Sequence, residues 1–270
     1  MTFSMFRYPG GKSKMLPILM EYISKVHKNA WPFCDAFVGG GCVALEVAAK
    51  YPLGHIYLND KDYWIYSFWD IVAGKETSKL PDLLKLIDQP ATLEQFYKLK
   101  GEATNDKLRC AYKAIFLNRT TFSGILKSGP IGGKDQKSEY TVDCRYNADK
   151  LKKKITACNK LLQGRATVTN YDISEYLFRY VGCCMTVYLD PPYYNKGSAL
   201  YTEFMQPSEH IEMANVLLKS AVTKWILSYD DCPQVRGLYS KNTIIDLAAR
   251  YCINGKKNSW EKKNELIILP

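Results

Sequence analysis

The feature that most constrains the fold is a glycine-rich turn that follows an apolar segment near the start of the chain. Residues 31–38 are mostly apolar and lead into Gly39-Gly40-Gly41, which favours a short buried strand ending in a turn. Residues 42–49 then fit a helix, and residues 55–58 form a second apolar run that ends at Asn59-Asp60. This succession predicts a β-α-β unit of a parallel sheet.

The alternation of strands and helices stops in the middle of the chain and resumes later. Residues 61–164 carry helical patterns and then a polar, glycine-rich stretch at 123–146 of the kind that makes a long hairpin or loop. We therefore expect one α/β, Rossmann-like core, formed by residues 1–60 and 165–270, with residues 61–164 inserted as a mostly helical subdomain. Further helices are predicted at 15–26, 65–72, 81–87, 93–99, 108–117 and 210–220. Further strands are predicted at 166–169, 185–189, 224–228, 243–246 and 265–269, the last two joined by a polar stretch at 254–264.

Composition narrows the class of protein. No apolar run approaches the roughly 20 residues of a membrane span, and residues 1–14 are too polar for a signal peptide, so we expect a cytoplasmic protein without membrane contact. Three histidines and an odd number of cysteines, nine, argue against a metal site and a disulfide framework. Residues 98–165 hold 16 Lys or Arg and 6 Asp or Glu, an excess of 16 − 6 = 10 that equals the net charge of the chain. A basic middle segment suggests contact with a polyanion, although a solvated lysine-rich face is an equal alternative.

The glycine turn also has the pattern of a nucleotide-binding fingerprint. Gly39, Gly41 and Ala44 match G-x-G-x-x-G/A, and Asp60 lies nineteen residues after Gly41, where an acid that binds ribose is expected. This unit indicates a cofactor that contains adenosine and leaves open whether it is a nicotinamide dinucleotide or S-adenosylmethionine. Near the N-terminus, Tyr8 and Lys12 flank a Pro-Gly-Gly turn that lacks the first glycine of a phosphate-binding P-loop. An aromatic ring and an ammonium group there would suit an adenine ring and an anion.

The motif Asp190-Pro191-Pro192-Tyr193 points most directly to a reaction. It directly follows a predicted strand, and open α/β sheets bind ligands at the carboxyl ends of their strands. Proline has no N–H donor, so the Pro191 carbonyl and the Asp190 carboxylate can both accept hydrogen bonds from one amine. Two acceptors would draw the nitrogen of an adenine amine toward tetrahedral geometry and free its lone pair. Tyr193 would stack on the base, which must first leave the duplex.

Taken together, these motifs resemble the Dam-type DNA adenine-N6 methyltransferases, in which cofactor motifs, a DNA-recognition insert and D-P-P-Y follow one another in this order. The resemblance covers nearly the whole chain and implies S-adenosylmethionine as the cofactor. It implies that Tyr8, Lys12, Asp60 and Asp190 hold this cofactor, with Asp60 on the ribose hydroxyls and Asp172 near the cofactor adenine. The methionine part of the cofactor would lie beside the turn that contains Asp35, Phe37, Gly39 and Gly41.

The resemblance extends into the insert and implies double-stranded DNA as the partner. Residues 118–124 and 145–147 look like the two ends of a hairpin that enters DNA. The candidates for phosphate or base contacts are Arg119, Lys127, Lys134, Arg145 and Asn147. A single insert and no evident dimer stripe favour a monomer in a bacterial or phage-infected cell, and whether a restriction endonuclease partner exists stays open.

Three alternatives remain at this level. A nicotinamide-dependent oxidoreductase would share the fingerprint but leaves D-P-P-Y and the basic insert unexplained. A non-catalytic DNA-binding relative would keep the fold without turnover. A cytosine-N4 methyltransferase also acts on an exocyclic amine, usually with serine in place of the leading aspartate, so Asp190 favours adenine.

Overall fold

The computed structural model describes residues 4–7, 11–182, 184–195, 197, 203–220, 222, 224–252 and 260–270. Seven strands form one sheet in the order β3-β2-β1-β4-β5-β7-β6. The strands are β1 Phe33–Asp35, β2 Ile56–Asn59, β3 Ala166–Thr169, β4 Thr186–Leu189, β5 Trp225–Asp230, β6 Thr243–Cys252 and β7 Trp260–Leu269. β1 to β5 are parallel, and β7 runs antiparallel between β5 and β6.

Helices cover the sheet and build the insert. Those in the described residues are α1 Leu16–Val26, α2 Cys42–Lys50, α3 Tyr63–Ala73, α4 Leu80–Ile87, α5 Leu93–Gly101, α6 Lys107–Thr120, α7 Ala148–Leu162, α8 Ile173–Tyr180, α9 Pro207–Lys219 and α10 Pro233–Leu238. None of the helices in this part of the chain is long and apolar enough to cross a membrane.

The strand order creates the site. β1 pairs with β2 on one side and with β4 on the other, so the chain leaves the carboxyl end of β1 in one direction and that of β4 in the other. Such a switch point opens a crevice outside the strand ends, where doubly wound sheets bind ligands. Asp35 ends β1 and Asp190 follows β4, so the topology brings both carboxylates to this crevice. The predicted α/β, Rossmann-like class is confirmed by this sheet.

The inserted segment shares its core with the sheet. α3 contacts β3 as well as α6 and α7, and one continuous cluster of buried apolar side chains joins α1, α2 and the helices of the insert. The helices predicted between residues 65 and 117 are present. Residues 123–146 form turns. An isolated β-bridge pairs Thr121 with Pro130 but is not extended into a strand, so this stretch of the described chain is a loop.

Three described helices were not predicted, and two strands are longer than predicted. The lysines of α7 make its apolar pattern hard to recognise in the sequence. In the structure Leu151, Ile155, Cys158 and Leu162 lie on one buried face, and Asn147 caps the first turn. α8 and α10 are short and follow strands closely. β6 continues six residues beyond its predicted end, and β7 begins within the stretch 254–264 that was predicted to connect the two strands, because each strand pairs with the other over ten residues.

Candidate active site

The glycine turn between β1 and α2 is held by contacts with two residues, Trp69 and Asp60. Gly41 has φ +70°, and a Cβ atom there would lie 2.5 Å from the Trp69 ring of α3, so only glycine fits without strain. The Trp69 Nε1–H donates to the Gly39 carbonyl at 2.9 Å, and the Gly39 N–H donates to Asp60 Oδ2 at 2.9 Å. The turn is therefore rigid before any ligand binds.

A cavity of about 120 Å³ lies over this turn. We call it the glycine-turn cavity. The predicted residues that line it are Lys12, Asp35, Phe37, Gly39, Gly41, Asp60, Asp190 and Pro192. Lining residues that were not predicted are Ser4, Phe6, Gly11, Val38, Gly40, Cys42, Val43, Asp62, Ile65, Leu126, Tyr188 and Glu203. The cavity thus collects most of the predicted cofactor residues from four separate segments.

Two carboxylates in this cavity bind protons unusually tightly. Burial, and then the charge of Asp190, raise the pKa of Asp35 to about 8. Asp35 Oδ1 is buried and has no hydrogen-bond partner in the described part of the chain. Burial, and then the charge of Asp62, raise the pKa of Asp60 to about 7, although its oxygens accept from the N–H groups of Gly39 and Asp62. A ligand that donates hydrogen bonds or carries positive charge would stabilise the ionised form of both carboxylates.

The D-P-P-Y motif forms the turn after β4, as predicted. Asp190 Oδ1 accepts from the Ser228 hydroxyl at 2.9 Å and pairs with Lys12 Nζ at 2.8 Å. Both contacts use Oδ1, and the Asp190 side chain also lines the cavity. Burial raises the pKa of Asp190, while Lys12 opposes this rise. Asp190 is therefore a partly desolvated acceptor held in one orientation.

Lys12 is placed differently from what an anion-binding lysine requires. Its side chain is 3% exposed and its ammonium group pairs with Asp190 and, at 3.3 Å, with Glu265. Burial alone would lower the pKa of Lys12, but Asp190, Tyr193 and Glu265 raise it well above its ordinary value. The structure thus directs the lysine toward the D-P-P-Y turn.

Four predicted cofactor or catalytic residues lie beside the glycine-turn cavity or outside the described residues. One of them, Pro191, is buried and does not line the cavity. Asp172 follows β3, caps α8 through the Ser174 N–H at 3.0 Å, and pairs with Lys61 at 3.1 Å. Tyr193 is 3% exposed and directs its hydroxyl away to Glu265. Tyr8 lies outside the described residues.

The predicted DNA contacts divide into exposed and half-buried groups. Lys127, Lys134 and Arg145 are exposed on the loop after α6. Arg119 is half-buried and donates to the Met5 carbonyl; burial, and then the charge of Arg7, lower its pKa to about 10. Asn147 is exposed, and its side chain caps α7 by accepting from the Lys150 N–H.

Part of the basic excess of the insert has a structural use. Lys107 pairs with Asp70, and Arg109 forms two hydrogen bonds with Glu102. Lys152 pairs with Asp88. These lysines and the arginine join helices of the insert, so the count of basic residues overstates the charge available to a polyanion.

Two further residues, which were not predicted from the sequence, are connected to the site in the structure. Glu265 was read only as the start of a closing strand, although a single acid before Leu-Ile-Ile-Leu is a signal that a buried carboxylate has a partner. Arg7 lies near Arg119 and Arg145, and burial, and then the charge of Arg145, lower its pKa. Within the described residues, no three His, Cys, Asp or Glu side chains come together as a metal site.

Comparisons with known proteins agree with this arrangement of motifs. A family model described as D12 class N6 adenine-specific DNA methyltransferase matches residues 8–253. The chain is also similar to the Type II methyltransferase M.MjaIII of Methanocaldococcus jannaschii, with 26% identity over 219 residues that cover 73% of each protein.

Two solved structures are distant neighbours. The precorrin-6y C5,15-methyltransferase of Geobacter metallireducens aligns with a TM-score of 0.42 and 9% identity, over 97% of this chain and 92% of the other. The rRNA methyltransferase aviRa of Streptomyces viridochromogenes aligns with a TM-score of 0.40 and 11% identity, over 99% and 90%.

The family match confirms the resemblance to DNA adenine methyltransferases, and it counts against the oxidoreductase alternative. It begins before Lys12 and extends beyond the D-P-P-Y turn to the end of β6, so it includes every motif from which the site was predicted. The chain belongs to the D12 class of N6 adenine-specific DNA methyltransferases.

Proposed function

We propose that this enzyme transfers a methyl group from S-adenosylmethionine to the exocyclic amine of an adenine flipped out of double-stranded DNA, with Asp190 as the residue that binds the amine. The observation that carries the proposal is the position of Asp190. Its carboxylate is fixed by Lys12 and Ser228 at the switch point of the sheet, on the wall of the glycine-turn cavity.

The residues of the glycine-turn cavity fit S-adenosylmethionine. Asp60 would accept hydrogen bonds from the ribose hydroxyls, and the orphan oxygen Asp35 Oδ1 would accept one from the amino group. Phe37 and the glycine turn would lie beside the methionine part of the cofactor. Asp172 stays our candidate for a contact with the cofactor adenine. When bound, S-adenosylmethionine supplies an electrophilic methyl group.

The chain's own residues would then prepare the target amine. Asp190 Oδ2 and the Pro191 carbonyl would accept its two N–H bonds and free the nitrogen lone pair for attack. As the methyl group passes from the cofactor sulfur to the amine, the S–C bond would break and the nitrogen would gain a positive charge, which is neutralised when the amine loses a proton to Asp190 Oδ2. The raised pKa of Asp190 suits such an acceptor.

DNA contacts would come from the loop after α6. Lys127, Lys134 and Arg145 are exposed there, where phosphates can reach them. Burial lowers the pKa of Arg7, and the nearby charge of Arg145 lowers it further; burial and then the charge of Arg7 do the same to Arg119. A bound phosphate would relieve this repulsion, which supports the assignment of Arg119 and Arg145.

The proposed function is tested by transfer of labelled methyl from S-adenosylmethionine to unmethylated genomic DNA, followed by nucleoside analysis. We expect the label in N6-methyladenine. As a control, DNA first incubated with the enzyme and unlabelled cofactor should accept little label. Label in N4-methylcytosine would contradict the proposed base, and no label despite binding of cofactor and DNA would indicate a non-catalytic relative.

Cofactor binding should tighten as the pH rises from 6 to 8. Asp35 and Asp60 have pKa values of about 8 and 7, so both are largely protonated at pH 6, whereas the proposed contacts use their ionised forms. Ionisation of one group with a pKa near 7 gives about a tenfold gain over this interval. Calorimetry with S-adenosylhomocysteine, which keeps the ribose and amino group, measures the change.

The matched control is the double variant Asp35→Asn and Asp60→Asn, which should bind more weakly and with little dependence on pH. A dissociation constant of the unmodified enzyme that stays the same from pH 6 to pH 8 would show that these carboxylates do not bind the cofactor.

A further inference from the structure

Glu265 is a buried carboxylate that directly precedes the apolar end of β7, Leu266–Leu269. It is 1% exposed, and the next three residues of β7, Leu266, Ile267 and Ile268, are fully buried. β7 pairs with β5 so that Glu265 lies opposite Asp230, the last residue of β5. Asp230 in turn accepts from the N–H of Tyr194, the residue after the D-P-P-Y turn. A charged group in such a position is costly unless it is paired, so its partners indicate its use.

Two partners of Glu265 belong to the active site. The Tyr193 hydroxyl donates to Glu265 Oε1 at 2.6 Å. The Lys12 ammonium group lies 3.3 Å from Glu265 Oε2, and the same ammonium group lies 2.8 Å from Asp190 Oδ1. One carboxylate therefore reaches the last residue of the D-P-P-Y turn directly and the first residue through Lys12.

The turn needs such support from outside. Pro191 and Pro192 fix two φ angles but donate no backbone hydrogen bonds, so they cannot anchor the turn to the sheet through N–H groups. The proposed reaction uses two acceptors on this turn, the Asp190 carboxylate and the Pro191 carbonyl, and their separation must be held closely. Errors of about 1 Å in such a geometry can cost roughly 100-fold in rate.

We propose that Glu265 is a positioning residue that clamps both ends of the D-P-P-Y turn, through Tyr193 on one side and through Lys12 and Asp190 on the other. This inference rests on the proposed role of Asp190. Glu265 does not touch the substrate in this role. It fixes the two acceptors and keeps the positive charge of Lys12 between two carboxylates.

The test compares single-turnover methyl transfer in Glu265→Gln, Tyr193→Phe and the double variant. Glutamine keeps the size of the side chain and an oxygen for Tyr193, but it removes the charge that holds Lys12. Phenylalanine keeps the ring and removes the hydroxyl arm. We expect each single variant to slow transfer by about 10- to 100-fold while the dissociation constant of the cofactor changes less than about twofold. The double variant should be no slower than the slower single variant, because either loss already opens the clamp.

Ile268→Val on the same strand is the control for a merely structural effect. It weakens packing without touching Lys12 or Tyr193, so it should lower Tm and leave the transfer rate unchanged. The clamp is overturned if Glu265→Gln transfers at the normal rate, if the losses of the two single variants multiply, or if Ile268→Val slows transfer as much as Glu265→Gln. Normal transfer by Asp190→Ala would instead overturn the proposed function of the site, and this outcome is separate from the behaviour of Glu265.

Discussion

Asp190→Ala should slow methyl transfer by a factor of about 100 to 1,000 while changing DNA affinity by less than about twofold. The carboxylate is one of the two acceptors for the target amine, and removal of one preorganised polar group from a reacting centre costs about this much. DNA affinity should persist because we expect phosphate contacts from the insert, which do not involve Asp190, to supply most of it. Single-turnover transfer and a salt titration of DNA binding measure the two quantities.

The complementary variant replaces Lys134 and Arg145 with alanine. Both side chains are exposed on the loop after α6 and neither lines the glycine-turn cavity. This double variant should weaken DNA binding and reduce the slope of log affinity against log salt by about 2, because two phosphate contacts are lost. Its affinity for the cofactor should not change. An equal loss of DNA binding and transfer in Asp190→Ala would contradict the assignment, and an unchanged salt slope would remove Lys134 and Arg145 from the interface.

The sequence predicted those parts of the site that lie at strand ends. The glycine turn and the D-P-P-Y turn each follow an apolar run directly, so the alternation of strands and helices was enough to place them at one edge of a parallel sheet. Asp60 was found in the same way, after β2. These positions depend on local pattern and on general rules of sheet topology, and both can be read from one chain.

Contacts across long sequence distances could not be predicted in this way. Lys12 was assigned to an anion, but it meets Asp190, 178 residues away, because its segment passes under the turn after β4. Glu265 meets Tyr193 because β7 inserts antiparallel beside β5, and nothing in the composition of β7 specifies that neighbour. The charge of the insert was overestimated for the same reason, since Lys107 and Arg109 find carboxylates on other segments of the insert.

Gly41→Ala should lower the free energy of unfolding by about 2 to 5 kcal/mol. The left-handed backbone at φ +70° costs a residue with a Cβ about 1 to 2 kcal/mol. The new methyl group would lie 2.5 Å from the Trp69 ring, and such overpacking adds about 1 to 3 kcal/mol. For a chain of this size the loss corresponds to a fall in Tm of about 4 to 20 °C, measured by thermal unfolding.

Gly133→Ala separates the two causes. Gly133 has φ +73°, close to that of Gly41, but no atom lies within 4 Å of the position its Cβ would take. It should therefore lose only the backbone part, about 1 to 2 kcal/mol. Equal losses in the two variants would mean that the Trp69 ring moves aside without a free-energy cost and that only the backbone conformation of the turn requires glycine. The Trp69 indole of α3 also donates to the Gly39 carbonyl. A larger loss at Gly41, together with weaker binding of S-adenosylhomocysteine, would therefore show that Trp69 holds the glycine turn in the shape that the cofactor requires.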